Sequence, residues 1–119
     1  MAKRRAMLLL TYKLGAHVDQ QEYEQWLREV DNPFFNSVRG VKRYANWKVL
    51  DEKLGTVAFT HYDLLELDDI DAWEKVWGNQ KLQEFAQGWT QRWSVHGTDQ
   101  QYAGLNFQVM LCEEIAAPN

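Results

Sequence analysis

The 119-residue chain contains one cysteine, Cys112, and only two prolines. A single cysteine excludes an internal disulfide and any metal site built from several cysteines. We expect Cys112 to be a small buried apolar residue of the last strand. The sequence also lacks a glycine-rich phosphate loop and the Gly-x-Ser-x-Gly turn of α/β-hydrolases, which argues against nucleotide-dependent and hydrolase chemistry. The three histidines, at positions 17, 61 and 96, have no metal-ligand spacing. We therefore expect no metal and no cofactor.

The chain has no excess of positive charge. Its formal net charge is −4, and its charged residues are of mixed sign, which argues against a nucleic-acid partner. The basic cluster Lys3 to Arg5 falls in a tail, residues 1–6, that we expect to be disordered. The apolar run Met7 to Leu10 is too short for the core of a signal peptide or for a membrane span. These features predict a cytoplasmic protein with no membrane partner.

The most informative feature of the sequence is the order in which its apolar periodicity changes. A period of two alternates with a helical period of 3.6, and the order predicts β-α-β-β-α-β, an α+β ferredoxin-like fold with a four-stranded antiparallel sheet. The predicted strands cover residues 7–14, 41–50, 56–67 and 105–115, and the helical regions cover 19–40 and 68–95. A chain of this length forms one domain. We place this domain at residues 7–115, followed by a tail at 116–119.

Local signals predict where the helices begin and break. Asp19 followed by Glu22 resembles a capping box that starts the first helix. Asn32-Pro33 predicts an interruption or restart of that helix, because proline disfavours helical geometry in the residue before it. Gly78-Asn79 predicts a break between a short helix and a longer one, and Gly97 is well placed to cap the end of the longer helix.

Several predicted strands are apolar on both alternating sets of residues. In the first strand Met7 and Leu9 share one side, whereas Leu8 and Leu10 share the other. Two helices can cover only one face of the sheet, so the second face needs another cover. A second copy of the same sheet is the simplest cover, and we therefore predict a homodimer.

Two stretches of the helical regions resemble known families. Residues Gln21 to Glu29 are similar to the first helix of the RedY-like HapK proteins, which are associated with pyrrole and indole natural-product pathways. The segment from Asp69 through Gln80 is similar to the helix-break-helix of EthD-like domains. Together with the strand order, the chain resembles the dimeric α+β barrel superfamily over roughly residues 7–115.

The resemblance implies a small-molecule pocket between the sheet and the helices. Relatives in this superfamily include cofactor-free monooxygenases, polyketide cyclases, muconolactone isomerases, haem-degrading enzymes and proteins with no established activity. No catalytic motif of these relatives maps onto the sequence, so the resemblance assigns no catalytic residue.

The third predicted strand carries the best candidates for acid–base chemistry. His61 and Asp63 share one side of this strand with Phe59, and Cα atoms two residues apart lie about 6.6 Å from each other. We therefore predict His61 as a general base and Asp63 as the carboxylate that orients it and raises its pKa. Tyr44 or Tyr12 could donate a hydrogen bond to a developing oxyanion. The alternative is a histidine that only makes local hydrogen bonds in the sheet.

Tryptophan is abundant, and five of the six tryptophans fall in the helical segments. Aromatic residues at helical spacing are often core residues, but this many large rings also suggests a cavity wall for a flat ligand. A histidine near the end of a helix is also favoured by the helix dipole. The predicted ligand contacts are Trp47, Phe59, Tyr62, Trp73, Trp77, Trp89 and His96.

These features lead to one main functional hypothesis and two alternatives. The main hypothesis is a cofactor-independent enzyme that cyclises, isomerises or cleaves a small aromatic or conjugated carbonyl compound by acid–base catalysis. The first alternative is a non-catalytic protein that binds an unstable pathway intermediate. The second is a cofactor-free monooxygenase.

Overall fold

A computed structural model describes residues 4–93 and 107–118 of the chain. Its four strands form one antiparallel sheet in the order β2-β3-β1-β4, with the helices on one face, as the periodicity predicts. The strands are β1 (Ala6–Tyr12), β2 (Val41–Lys48), β3 (His61–Leu67) and β4 (Gln108–Glu113). The α-helices are α1 (Gln20–Trp26), α2 (Asn32–Asn36), α3 (Trp73–Trp77) and α4 (Gln80–Trp93). No helix in the described ranges has the length and apolar character to cross a membrane.

The connection between β2 and β3 is longer than the predicted hairpin loop at 51–55. Strand β2 ends at Lys48 and β3 begins only at His61. The intervening backbone still pairs at its base, where the Val49 N–H donates to the Thr60 carbonyl at 2.9 Å. Most residues of this loop are exposed, so the loop packs little against the core. Phe59, predicted to lie within the strand, therefore precedes it.

The first helical region begins as predicted and then changes its winding. The Asp19 side chain accepts a hydrogen bond from the Glu22 N–H at 2.9 Å and caps α1. The interruption predicted at Asn32-Pro33 takes the form of a π-helical turn over Leu27–Asp31, which α2 follows directly. Pro33 is tolerated because it occupies the first turn of α2, where its nitrogen needs no acceptor. The extra residue in the π turn leaves Asp31 buried beneath the helix.

The second helical region breaks where the sequence predicts. Helix α3 ends at Trp77, and the side chain of Asn79 accepts a hydrogen bond from the Leu82 N–H at 3.1 Å, which caps α4. A 3₁₀ turn capped by Asp69 precedes α3. Helix α4 is described as far as Trp93, so the predicted cap at Gly97 lies outside the described residues.

The core lies between the helices and one face of the sheet. The two layers contribute mostly apolar side chains from alternate strand positions and from one stripe of each helix. The opposite face of the sheet also carries apolar residues, and Trp47 and Met110 are exposed on it. Cys112 lies on this open face opposite Met7 and is only partly buried, so the expectation of a buried cysteine is wrong.

The start of the chain is tied to the sheet within the described residues. Ala6 is buried and belongs to β1, one residue before the predicted start. The Arg4 guanidinium pairs with Glu113, and Arg5 lies within 3.9 Å of Glu66. The C-terminal edge strand and the third strand thus anchor the basic residues that precede β1.

Candidate functional site

An aromatic cavity lies between the sheet and the helices. Its empty space amounts to about 440 Å³, a figure that includes open solvent at its mouth. Its apolar wall comes mainly from helices α2, α3 and α4, with Phe35, Trp77, Leu82, Phe85 and Trp89. Its polar wall comes from strands β1, β2 and β3 and from the first helical region, with Tyr12, Tyr23, Asp31, Tyr44 and Asp63.

Two carboxyl groups meet in this polar wall. The π turn brings Asp31 towards β2, and Asp63 lies on β3 directly opposite Asn46 of β2. The Asn46 amide donates to Asp31 Oδ2 at 2.9 Å and to Asp63 Oδ1 at 2.8 Å, so one NH₂ group bridges the two carboxyls. The Tyr44 hydroxyl donates to the same Asp31 Oδ2 at 2.7 Å. Below, Asp31 and Asp63 are called the acid pair.

The pKa values of both carboxyls in the acid pair are raised. Burial raises the pKa of Asp31 to about 6, against the opposing effect of its hydrogen bonds from Tyr44 and Asn46. Burial, and then the charge of Asp31, raise the pKa of Asp63 well above its usual value. Two buried carboxyls this close do not both ionise easily. When one of its two carboxyls is protonated, the acid pair offers one proton donor and one proton acceptor in the same wall.

Three buried phenols complete the polar wall. The hydroxyls of Tyr12 and Tyr23 lie 2.6 Å apart, and the indole N–H of Trp89 donates to the Tyr23 hydroxyl at 2.9 Å. Burial raises the pKa values of Tyr12, Tyr23 and Tyr44 well above the usual value for a phenol. All three side chains therefore remain protonated. The Tyr44 proton is directed at Asp31, whereas the Tyr12–Tyr23 pair leaves one hydroxyl proton for a ligand oxygen.

The imidazole of His61 has different partners from those predicted. Its Nδ1 lies 2.9 Å from Thr60 Oγ1 and its Nε2 lies 3.4 Å from Glu24 Oε2, whereas the Asp63 carboxyl bonds Asn46. The predicted pairing of His61 with Asp63 is therefore replaced by a pairing with Glu24. Burial lowers the pKa of His61 and outweighs the opposite effect of Glu24, so the expected rise in this pKa is not found.

His61 also lies on a different hollow from the acid pair. A solvent-open groove runs along the β2 edge, with about 900 Å³ of empty space including its open side, and His61, Trp47 and Lys48 line it. Glu24 lies there too, 3.1 Å from Lys48 Nζ. Burial alone would raise the pKa of Glu24, but the hydrogen bonds from Gln20, Lys48 and His61 lower it overall. Asn46, which bridges the acid pair, also lines the groove.

The predicted ligand contacts divide between the two sides of the sheet. Trp77 and Trp89 line the cavity, whereas Trp73 packs against the apolar core. Trp47 stacks on Tyr62 with ring centroids 6.2 Å apart, and both lie on the open face because strand alternation turns them away from the cavity. Phe59 contacts Tyr62 from the loop before β3. The predicted contact at His96 lies outside the described residues.

Sequence reasoning placed Tyr12, Tyr44 and Asp63 in the site but missed four contributors. Tyr23 has the spacing of an ordinary core residue, and Glu24 that of an exposed helical residue. Asn46 alternates with Tyr44, which was the available signal that the two share a face. Asp31 precedes the predicted interruption, and only the π winding turns it inward.

The sheet order and the helices on one face define an α+β protein of the ferredoxin-like class. Within this class, the family model described as REDY-like protein HapK matches residues 6–102, and the chain belongs to this family. No curated protein sequence matches the chain.

Solved structures with the same fold come from several organisms. An EthD-family protein of Bacillus halodurans is 13% identical, with a TM-score of 0.70 over 93% of this chain and 99% of that chain. A hydroxynitrile lyase of Passiflora edulis is 12% identical, with a TM-score of 0.69 over 98% of this chain and 100% of that chain. A dimeric ferredoxin-like protein of unknown function from Thermobifida fusca is 11% identical, with a TM-score of 0.63 over 96% and 94% of the two chains. At these identities the likeness shows the fold.

Proposed function

We propose that the protein is a cofactor-independent enzyme that uses acid–base catalysis to cyclise, isomerise or cleave a small aromatic or conjugated carbonyl compound. The observation that carries the proposal is the acid pair in the wall of the aromatic cavity. A buried pair that holds one proton near neutral pH can accept a proton from a substrate carbon and donate one to a substrate oxygen.

The hydrogen bonds suggest which carboxyl has which role. Asp31 Oδ2 accepts hydrogen bonds from Tyr44 and Asn46. Among the described residues Asp63 Oδ1 accepts one from Asn46, and Tyr44 lowers the pKa of Asp63 less than Asn46 does. Since donors stabilise the ionised form, we assign the base to Asp31 and the acid to Asp63. In this assignment Asp31 takes a proton from the carbon next to a carbonyl, and Asp63 gives its proton to the carbonyl oxygen. The hydroxyl of Tyr12 stabilises the charge that develops on that oxygen, because the Tyr44 proton is directed at Asp31.

His61 has a positioning role in this proposal. Its ring stacks on Tyr12 with centroids 5.7 Å apart and an angle of 13° between the planes, so it supports a phenol of the cavity from the groove side. The sequence-based prediction makes His61 the base instead. Matched substitutions in the two hollows distinguish these roles.

The test is proton exchange in a flat aryl-fused ketone. With 2-tetralone in D₂O, NMR follows exchange of the protons next to the carbonyl, and we expect catalysis above the buffer rate. Asp31→Asn and Asp63→Asn should each slow this exchange by about 100-fold, the usual contribution of a general acid or base. The exposed loop substitution Asp51→Asn makes the same chemical change away from the cavity and should leave the rate unchanged.

His61→Gln completes the test, with an expected loss of less than about 10-fold. If His61→Gln slows the exchange by about 100-fold while both aspartate variants keep their activity, His61 is the base. Exchange that is the same in all four variants and the unmodified protein would contradict acid–base catalysis in this cavity.

A non-catalytic binding role is the second candidate, and the aromatic wall favours it. Trp77 and Trp89 both line the cavity and would report on a bound ring. A binding protein would show saturable quenching of tryptophan fluorescence by 2-tetralone without exchange. Oxygen consumption with an electron-rich quinol, in a protein without flavin or haem absorbance, would instead indicate cofactor-free oxygenation.

We also propose that the protein forms a homodimer through the open face of the sheet. Met7, Leu9 and Leu64 are only partly covered there, and Met110 is 39% exposed. Such an apolar surface on an antiparallel sheet requires a cover, and a second copy supplies one of the same shape.

Sedimentation equilibrium tests the dimer directly. Met110→Lys places a charge on the apolar surface of the proposed interface and should produce a monomer. Leu54→Lys, at a loop residue that is 95% exposed, is the matched control and should leave the dimer intact. A monomer in the unmodified protein at micromolar concentration would contradict the proposal.

A further inference from the structure

The cavity has an unbalanced charge. Its described lining residues include two carboxyls, Asp31 and Asp63, and no lysine, arginine or histidine. Lys48 and Arg28 line the outer groove instead, where both lie within 4.0 Å of Glu24. Within the described part of the chain, the acid pair is therefore satisfied by neutral donors alone.

The neutral donors are already used by the acid pair itself. The two hydrogen bonds of the Asn46 amide and the hydroxyl of Tyr44 are directed at the carboxyl oxygens. They orient the carboxyls but supply no opposite charge. In a buried site a ligand cation would gain a large Coulomb attraction to the pair, whereas a ligand carboxylate would add a third acidic group with no counter-charge.

The aromatic wall favours the same kind of ligand. Phe85, Trp77 and Trp89 line the cavity, and aromatic rings attract cations as well as flat apolar groups. A planar ring can occupy the apolar end while its charged group reaches the acid pair at the polar end. Both ends of the cavity thus favour one class of ligand.

We infer that the cavity selects a planar aromatic ligand that carries a protonated amine and rejects the corresponding carboxylate. This inference rests on the proposed function and deepens it, because it names the chemical class of the substrate: an aromatic or conjugated compound with a basic nitrogen. The nitrogen lies beside the reacting carbonyl at the polar end of the cavity, where the charge of the acid pair attracts it, and the ring lies against the tryptophans.

Three probes of the same size test the charge preference by isothermal titration calorimetry near neutral pH. They are 1-naphthylmethylamine, 1-naphthylmethanol and 1-naphthoate, which carry a positive, a neutral and a negative group on the same ring system. We expect the amine to bind at least about 10-fold more tightly than the alcohol, which corresponds to about 1.4 kcal/mol. The carboxylate should bind most weakly.

Two variants locate the preference. Asp63→Asn and Asp31→Asn should each reduce the preference for the amine over the alcohol, and Asp51→Asn in the exposed loop should leave it unchanged. Near-UV circular dichroism identifies a variant that has lost its packing, and the other variant then decides the result. Equal binding of the three probes, tighter binding of the carboxylate, or no binding of any probe at millimolar concentration would overturn the inference.

The binding test is independent of turnover. If amine preference fails while 2-tetralone exchange is catalysed, the substrate class is wrong and the acid–base function stands. If exchange fails while the amine preference depends on Asp63, the cavity binds such ligands without catalysing this reaction.

Discussion

Replacing Asp31 by asparagine should change how stability depends on pH. The folded state raises the pKa of Asp31 from 3.8 to about 6, so the folded protein binds more protons than the unfolded chain between these values. The stability from this group is fully present below pH 3.8 and is lost as the pH rises through about 6. At 1.36 kcal/mol per pKa unit, ionising Asp31 in the folded state costs about 3 kcal/mol.

Asparagine preserves the shape of the site without this cost. Its side-chain oxygen can accept the hydrogen bonds that Tyr44 and Asn46 give to Asp31. Removing the charge at position 31 also removes its effect on Asp63, which acts in the same direction. Asp31→Asn should therefore gain stability relative to the unmodified protein as the pH rises.

Urea unfolding followed by tryptophan fluorescence, at one protein concentration, measures the effect. Between about pH 4.5 and about pH 7.5, the free energy of unfolding of Asp31→Asn should rise by about 2 kcal/mol relative to the unmodified protein. The lowered pKa of His61 has the opposite influence, since it adds stability as the pH rises, but it is common to both proteins and cancels in the difference. A difference that stays constant with pH, or falls, would refute the reasoning.

Two further substitutions test the packing that surrounds the site. Gly40→Ala should destabilise the protein by about 2 kcal/mol or more, because Gly40 has φ of +96° and a Cβ atom there would lie 2.8 Å from a methyl group of Val76. Gly55→Ala is the matched control in urea unfolding, because Gly55 has φ of +75° but a Cβ atom there would meet no neighbouring atom within 4 Å. We expect it to cost about 1 kcal/mol, clearly less than Gly40→Ala. Equal costs of the two substitutions would contradict the contact with Val76. Tyr23→Phe removes the hydroxyl that lies 2.6 Å from that of Tyr12 and should cost about 1–3 kcal/mol. Unchanged stability in the same assay would show that this hydrogen bond is not formed.

The fold could be predicted because periodicity reports which side of a segment is buried. Alternation placed Tyr44 on the face opposite Trp47, and Asp63 on the face opposite Tyr62, as the strand register shows. The Gly78-Asn79 break was predictable for a similar local reason, because a side chain that caps a helix acts within one turn of it.

The site was only partly predictable because it depends on contacts between distant segments. Asp63 and His61 share a face of β3, but strand geometry does not decide which carboxyl contacts the imidazole. The carboxyl that does so belongs to Glu24, which lies on α1. Asp31 could not be placed, since the π turn that directs it inward is a change of winding with no strong sequence signal. The direction of the His61 pKa shift likewise follows from burial, which spacing along one strand does not report.

The most direct test of the proposed site is the titration of its carboxyl groups. Carbon-13 NMR of protein labelled at the aspartate side-chain carboxyls, with Asp31→Asn and Asp63→Asn used to assign the signals, gives the protonation of each group as a function of pH. We predict that Asp31 titrates near pH 6 and that Asp63 also titrates well above 3.8. Titration of both groups at ordinary aspartate values, about 4 or below, would contradict a buried acid pair that retains a proton near neutral pH.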